Sequence, residues 1–383
     1  MIRRHLSTAL LSVALLGASE GSEPLDVHRV IQDRWSAWVG ALDAVSMQDL
    51  DHVAATGGLE GDEAAACAAL IQTLHFMDHK RHVTRLGRDE IVWGSNEVAD
   101  RMLLRCYAAC QRKLRMMPTA LWAEGAPHQE AVSQTGDRTG DCWLLAPTGW
   151  IVRQRPEAIR RAIEPLPGGR FRVTFPSGAV AEVARPNDVE MIAVNGDATL
   201  KDGLWLPVIK EAMGTLLGER NARKRQLESE SLRLNGGNLA VMMQHWTGHR
   251  VRGVPLAGQT PVDTVRTQLT QALARHAMVG AATGPTPAGR IPPNHAYMVL
   301  RFDEPRDMVI TWNPWNDDFS PKGDAGRENG YARQDGVAEI PLADFVQIFR
   351  MLRVETEQPF DGSATAAKAA APAPVDAGDA PKP

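Results

Sequence analysis

A chain of 383 residues, of which 44% are hydrophobic and 23% charged, is long enough to form two or three domains with sizeable cores. Its formal net charge of −4 and its pI near 6.3 give no reason to expect nucleic acid or an anionic membrane surface as a partner. No apolar run reaches the ~18 residues that a transmembrane helix needs, so no transmembrane segment is expected. The composition leaves the oligomeric state unknown.

The first residues have the order of a secretory signal peptide. Arg3 and Arg4 precede an apolar stretch at 6–16, and small residues follow at 17–19. We therefore expect residues 1–19 to be a signal peptide and the protein to be secreted or periplasmic. A short amphipathic first helix is the alternative.

Residues 20–118 have the pattern of a small helical region. Apolar residues recur three and four positions apart at 27–31, 65–76 and 98–114, and Gly57-Gly58 breaks the pattern. Such a region would serve as an inhibitory pro-segment or as a partner-binding module, and the pattern does not separate the two.

Export permits disulfide bonds, and the chain has the four cysteines Cys67, Cys106, Cys110 and Cys142. If Cys142 is a nucleophile, it must stay free. Cys67 would then pair with Cys106 or with Cys110, or all three would be buried thiols. The number of cysteines does not decide between these alternatives.

Beyond residue 119 the pattern becomes a mixture of helices and strands. Residues 170–175 and 179–183 alternate between apolar and polar positions around a turn at 176–178, which predicts a hairpin. An amphipathic helix is predicted at 204–217, and Asn235-Gly236-Gly237 is the best candidate hinge. The Ala/Pro-rich tail, residues 358–383, is expected to be disordered.

Asp141 and Cys142 stand at the predicted start of a helix. Aspartate is a good N-cap, and Cys142 would be the first helical residue. A thiol there lies among unpaired backbone N–H groups at the positive end of the helix dipole, which favours the thiolate. The same N–H groups can stabilise an oxyanion. We therefore expect a lowered pKa for the Cys142 thiol, whereas an inert buried thiol is the alternative.

A predicted hairpin brings His295 and Asn313 together. His295 opens a strand, a turn follows at 303–307, and a second strand returns to Asn313. Paired residues in such a hairpin have numbers that sum to about 610, so the two side chains lie nearly opposite each other. Trp312 and Trp315 flank the asparagine and would shield a His–Asn hydrogen bond from water. A cysteine, a histidine and an asparagine are the residues that an activated thiol nucleophile needs.

These segments resemble the calpain-type cysteine proteases. The cysteine segment Gly-Asp-Cys-Trp-Leu-Leu at 140–145 matches that family's cysteine motif, and His-Ala-Tyr at 295–297 and Asn-Pro-Trp at 313–315 match its histidine and asparagine motifs. The resemblance covers about 120–356 in family order and does not include the helical region. The further matching segments are 120–125, 131–134, 169–173, 204–212, 236–237, 246–248, 335–336 and 342–349.

The resemblance implies an α+β, papain-like two-lobed cysteine protease core at 119–357, with a lobe boundary near 235–238. It implies an endopeptidase that cleaves protein or peptide substrates through an acyl-enzyme. Cys142 would attack, His295 would act as base and then acid, and Asn313 would orient His295. Gln134 would complete the oxyanion hole, and Trp315 would shield the triad.

Several features of this chain depart from the family pattern. Seven residues, 135–141, separate Gln134 from Cys142, two more than is usual in the family. Pro147 and Gly149 interrupt the helix after Cys142, so we expect that helix to be kinked or short. The family's calcium sites are incompletely matched: Ala131 replaces an acidic residue, and Asp335 with Asp317 or Asp318 would serve a second site. Calcium dependence is therefore left open, and no other metal is expected.

Two other functions fit parts of the pattern. The first is a catalytically inactive, calpain-like protein-binding module, in which the longer loop and Pro147 have disabled the site. The second is acyl transfer to an amine, which uses a related Cys–His pair but usually an aspartate as third member, so Asn313 disfavours it. The intact set of Cys142, His295 and Asn313 favours the endopeptidase.

Overall fold

The computed structural model describes residues 26–133, 140–220, 234, 236–285 and 291–360. The predicted signal peptide, Gln134, Asn235 and residues 361–383 of the predicted tail lie outside these ranges. Helices and strands are mixed along the chain and the strands form separate sheets, so the predicted α+β class is confirmed. None of the helices in the described ranges has the length and apolar character of a membrane span.

The helices are α1 Val27–Val39, α2 Met47–Thr56, α3 Gly61–Arg81, α4 Arg88–Val92, α5 Glu97–Leu114, α6 Cys142–Gln154, α7 Pro156–Ala162, α8 Asp188–Val194, α9 Asp197–Lys201, α10 Trp205–Arg220, α11 Leu239–Thr247, α12 Val262–Ala274 and α13 Leu342–Ile348. The strands are β1 Ala44–Ser46, β2 Arg85–Gly87, β3 Ile163–Leu166, β4 Arg170–Thr174, β5 Val180–Ala184, β6 His249–Pro255, β7 Val279–Thr283, β8 Ala296–Asp303, β9 Met308–Trp312, β10 Arg333–Gln334, β11 Val337–Pro341 and β12 Phe349–Pro359. A 3-10 turn spans Gln129–Ala131.

The N-terminal region is helical as predicted, but it also contains a short antiparallel pair of strands, β1 and β2, which the helical pattern did not indicate. Helix α2 begins in a capping box. The Ser46 hydroxyl accepts a hydrogen bond from the Asp49 N–H, and the Asp49 carboxylate accepts one from the Ser46 N–H. Helix α2 ends at Gly57, the predicted break. The long helix α3 is the centre of the region, because it contacts α1, α2 and α5.

Helix α8 completes the hydrophobic core of this helical region, although it lies more than 70 residues after α5 in the chain. The Asn187 side chain, at the N-cap of α8, donates to the Ala54 carbonyl at 2.9 Å. The hydrophobic core therefore does not divide at the predicted boundary near 119. The core residues from α8 are Val189, Ile192, Ala193 and Val194.

Strands β3, β4 and β5 form a three-stranded antiparallel sheet, and the predicted β4–β5 hairpin is confirmed. Helix α10, which packs on this hairpin, confirms the helix predicted at 204–217. That helix was expected to be amphipathic, but residues 205–214 are all buried. A helix that is covered on every side lies inside the fold, not on its surface.

Helix α6 runs on from Cys142 through Pro147 and Gly149 to Gln154, so the predicted short helix is wrong. Residues 142–152 are all buried, and packing on every side outweighs the hydrogen bond that the proline removes. Gly149 is required by a close approach. A Cβ built there would lie 2.3 Å from the Trp312 ring, so the indole packs directly on the helix backbone.

Among the described residues, the largest sheet has seven strands, in the order β10-β11-β9-β8-β7-β12-β6. Met298 pairs with Trp312 and Val299 with Thr311, so the predicted register of the β8–β9 hairpin is confirmed. Helices α12 and α13 pack with this sheet around a separate hydrophobic core. Strand β12 extends to Pro359, so the expected disorder does not begin at 358.

Helix α6 packs against helix α11 and against strand β8 of the seven-stranded sheet. Trp143 of α6 lies against Gly237, where an added Cβ would be 2.1 Å from the indole, and its Nε1 donates to the Leu234 carbonyl at 3.0 Å. The first residue of α6, Cys142, interacts with the backbone of Ala296, the first residue of β8.

Candidate active site

Cys142 is the first residue of α6, as predicted, and Asp141 occupies the N-cap position. The Asp141 side chain, however, makes no capping hydrogen bond. Its Oδ2 instead lies 2.8 Å from the Lys210 Nζ, and both side chains are buried. The amino end of the helix is therefore paired to α10 through an ion pair. The Asp141 carboxylate caps none of the N–H groups of the first turn, although the Asp141 carbonyl accepts from the Leu144 N–H at 2.8 Å.

The expected lowering of the Cys142 pKa is contradicted. Only 8% of Cys142 is exposed, and burial raises the pKa of its thiol to about 11. The backbone N–H of Ala296 acts in the opposite direction, because it can donate to the thiolate, whereas the Asp141 carboxylate raises the pKa further. This interaction places the Cys142 thiol near Ala296, the residue that follows His295.

His295 and Asn313 meet as the sequence predicts, with the His295 Nε2 at 2.7 Å from the Asn313 Oδ1. Thr283 holds the histidine backbone from the neighbouring strand. Its hydroxyl accepts from the His295 N–H at 2.9 Å, and its backbone N–H donates to the His295 carbonyl at 3.0 Å. The imidazole is therefore fixed at the beginning of β8.

Asp317 determines which way the Asn313 amide points. The Asn313 Nδ2 donates to the Asp317 Oδ1 at 3.0 Å, and a carboxylate can only accept. The Asn313 oxygen must then face His295, and the Trp315 N–H also donates to it at 3.1 Å. Since that oxygen accepts, the His295 Nε2 carries the proton and Nδ1 keeps its lone pair. An imidazole in this tautomer is a base at Nδ1.

Arg333 anchors the carboxylate in turn. Its Nη2 lies 2.6 Å from the Asp317 Oδ2 and its Nε lies 3.2 Å from the Asp317 Oδ1, a bidentate pair. The Arg333 guanidinium also lies over the ring of Phe319, 4.7 Å from its centroid. The hydrogen-bonded chain therefore runs from Arg333 through Asp317 and Asn313 to His295.

Aromatic rings cover the histidine. The ring centroid of Trp315 lies 4.8 Å from that of His295, and Tyr297 contacts it edge-on at 5.1 Å. Burial lowers the pKa of His295 to about 4, although the hydrogen bond with Asn313 and the charge of Asp317 act against this shift. At neutral pH the imidazole is therefore uncharged.

The two predicted shielding tryptophans have different positions. Trp315 covers the histidine and is the more exposed of the two, with 36% of its surface accessible. Trp312 is fully buried against Gly149, and its Nε1 donates to the Asn316 Oδ1 at 2.8 Å. Trp315 is therefore the shielding residue, whereas Trp312 joins the hairpin to α6.

The remaining predicted site residues are Gln134 and the carboxylates expected to serve a calcium site. Gln134 lies outside the described residues, so its place as an oxyanion donor stays a prediction. Among the residues that the structure describes, no cluster of His, Cys, Asp or Glu has the composition of a metal site. Both oxygens of Asp317 face Arg333, and an Asp318 oxygen accepts from the Asp335 N–H.

All four cysteines are free and buried. Burial raises the pKa of the Cys67 thiol well above its usual range, as expected for an inert thiol. Cys67, Cys106 and Cys110 are therefore three buried thiols and not members of a disulfide bond, which was one of the two alternatives left open by the sequence.

Four residues of the site were not identified as such from the sequence, namely Lys210, Thr283, Arg333 and Asp317 in its role at Asn313. Lys210 did carry an indication, because a lysine directly after the apolar run at 204–209 is expensive to bury without a partner. Comparison with known proteins adds nothing to the site, because no family model and no curated protein sequence matches this chain.

Proposed function

We propose that this chain is a cysteine endopeptidase with a papain-like two-lobed core, as its resemblance to the calpain-type proteases implies. One observation carries the proposal: the network Arg333–Asp317–Asn313 leaves a lone pair on the His295 Nδ1, and the N–H of the next residue, Ala296, is near enough to the Cys142 thiol to lower its pKa. A nucleophile, a base with a defined tautomer and an amide that orients it are what acyl transfer requires.

In the proposed reaction, the Cys142 sulfur attacks the scissile carbonyl carbon while the His295 Nδ1 takes the thiol proton. The Cys142 backbone N–H at the start of α6, joined by Gln134, stabilises the oxyanion. The C–N bond then breaks, and the imidazolium gives its proton to the departing amine, which leaves a thioester. Water, deprotonated by the same nitrogen, hydrolyses the thioester and regenerates the thiol.

The test is hydrolysis of a fluorescently labelled, unstructured protein, measured with Ca²⁺ and with a chelator. Cys142→Ala should remove hydrolysis, whereas Cys67→Ala, which removes a buried thiol in the core of the helical region, should retain it. Hydrolysis near the wild-type rate in Cys142→Ala would refute the assignment. Incorporation of a labelled amine into the substrate would instead indicate acyl transfer.

A second candidate is a non-catalytic protein-binding module. The observation that favours it is the burial of Cys142 and His295, which keeps both in their neutral forms at pH 7. A wild-type protein that binds unstructured peptides but hydrolyses none, with or without Ca²⁺, would support this function. For either function we infer a secreted or periplasmic location from the order of residues 1–19.

A further inference from the structure

Two buried lysines from other helices donate hydrogen bonds to carbonyls at the carboxyl end of α8. The last carbonyls of a helix have no partner within it and carry partial negative charge, so they suit cations. The Lys113 Nζ donates to the Ile192 carbonyl at 2.9 Å, and the Lys210 Nζ donates to the Val194 carbonyl at 2.7 Å. Lys113 is 2% exposed and Lys210 is 1% exposed. Lysines are almost never buried to this extent unless they are paired.

Lys210 has a second partner beside the nucleophile. Its Nζ lies 2.8 Å from the Asp141 Oδ2, and Asp141 directly precedes Cys142. The buried Asp141 carboxylate raises the pKa of the neighbouring thiol. An opposite charge paired with that carboxylate reduces its effect, and Lys210 supplies such a charge. The same ion pair ties the first turn of α6 to α10 and α8. Lys210 therefore acts on both the charge and the position of Cys142.

Residues of the helical region also hydrogen-bond to the carboxyl end of α8. Lys113 belongs to α5, and Gln72 of α3 donates from its Nε2 to the Ala193 carbonyl at 3.1 Å. The apolar face of α8 is buried in the core of that region. A continuous set of buried contacts therefore runs from the helical region through the end of α8 and Lys210 to Asp141.

We propose that Lys210 is a positioning residue for Cys142, and that the helical region fixes the helix end on which Lys210 rests, so that this region is a permanent part of the catalytic core and not a removable pro-segment. This inference rests on the proposed function in one respect, namely that Cys142 is the nucleophile.

The first test measures how fast iodoacetamide alkylates Cys142 in the full chain as a function of pH, with mass spectrometry to identify the residue. Lys210→Met leaves Asp141 without its counter-charge, so the alkylation profile should move up by about one pH unit and the rate at pH 8 should fall about tenfold. Lys201→Met, at an exposed lysine of α9, should leave the profile unchanged. A folded Lys210→Met protein with the wild-type profile would overturn the proposal.

A double variant covers the case in which the single variant does not fold. Lys210→Met with Asp141→Asn removes both charges, which is far less costly than removing one. Its profile should lie at or below the wild-type profile, because the carboxylate that opposes ionisation is gone. A profile above wild type would contradict the role of the pair. Tyr297, which also interacts with Cys142, is the same in every variant.

The second test concerns the helical region. A recognition sequence for a specific protease is inserted after Met117, in the connection that follows α5, and the intact folded chain is then cut. The two pieces should elute together in gel filtration and the alkylation rate of Cys142 should not change. Pieces that separate, or alkylation that becomes faster after the cut, would be the behaviour of a pro-segment. Alkylation does not require hydrolysis, so a protein without peptidase activity would refute the proposed function and still answer both tests.

Discussion

Acid should destabilise this protein through His295. The histidine is 5% exposed, and burial lowers its pKa from the ordinary 6.5 to about 4. Below pH 6.5 the unfolded chain takes up a proton that the folded chain does not, so stability falls as the pH falls. With these two pKa values, the loss between pH 7 and pH 5 is about 2 kcal/mol, and it approaches roughly 3 kcal/mol near pH 4.

The assay is urea unfolding at pH 7 and at pH 5, in the wild type and in His295→Gln. Glutamine can still bond to Asn313 but cannot be protonated, so its variant should lose about 2 kcal/mol less between the two pH values. His52→Gln, at an exposed histidine of α2, controls for the loss of an imidazole on the surface. If the wild type and His295→Gln have the same pH dependence, the imidazole is not buried in its neutral form and the reasoning fails.

Three other changes test the site. Gly149→Ala puts a methyl group 2.3 Å from a buried indole, so it should cost about 1–3 kcal/mol in urea unfolding, although alanine is the better helix former; a stabilised variant would contradict the packing. Asp317→Asn offers both a donor and an acceptor to Asn313, so the orientation of the Asn313 amide is no longer fixed and kcat/KM for peptide hydrolysis should fall about 10–100-fold. Asp318→Asn should change kcat/KM little, and equal effects of the two substitutions would show that the amide needs no carboxylate. The pKa of Cys142 is raised to about 11 from an ordinary 9.0, so the unfolded chain loses the thiol proton at a lower pH than the folded chain and stability falls as the pH rises. Between pH 8 and pH 10 the wild type should therefore lose about 1 kcal/mol more than Cys142→Ala in urea unfolding. Equal losses would mean that the thiol is solvated.

The parts of the site that depend on local spacing could be predicted from the sequence. His295 and Asn313 belong to one hairpin, so the position of its turn fixes their register. The first turn of α6 is similarly local, because a short polar residue before an apolar run marks a helix start. Alternation of apolar residues was enough for the β4–β5 hairpin.

The parts that depend on distant packing could not. Asp141 is a good N-cap in isolation, and nothing near it in the chain indicates that its carboxylate turns to Lys210, 69 positions away. The thiol pKa was mispredicted for the same reason, because a helix N-terminus is visible in the sequence and the burial of that end is not. Pro147 does not shorten its helix because tertiary contacts surround it. The short apolar helix α8 gives no indication of which core it joins.

Helix α6 makes two contacts in which a tryptophan packs against a glycine. Trp143 rests on Gly237 and Trp312 rests on Gly149, and in each case the absence of a single methyl group makes room for a whole indole. Neither member of such a pair can change alone without a clash or a cavity. Related sequences should therefore vary at these positions in pairs, with a larger residue in place of a glycine accompanied by a smaller one in place of its tryptophan. An alignment of such sequences would record the architecture in its covariation.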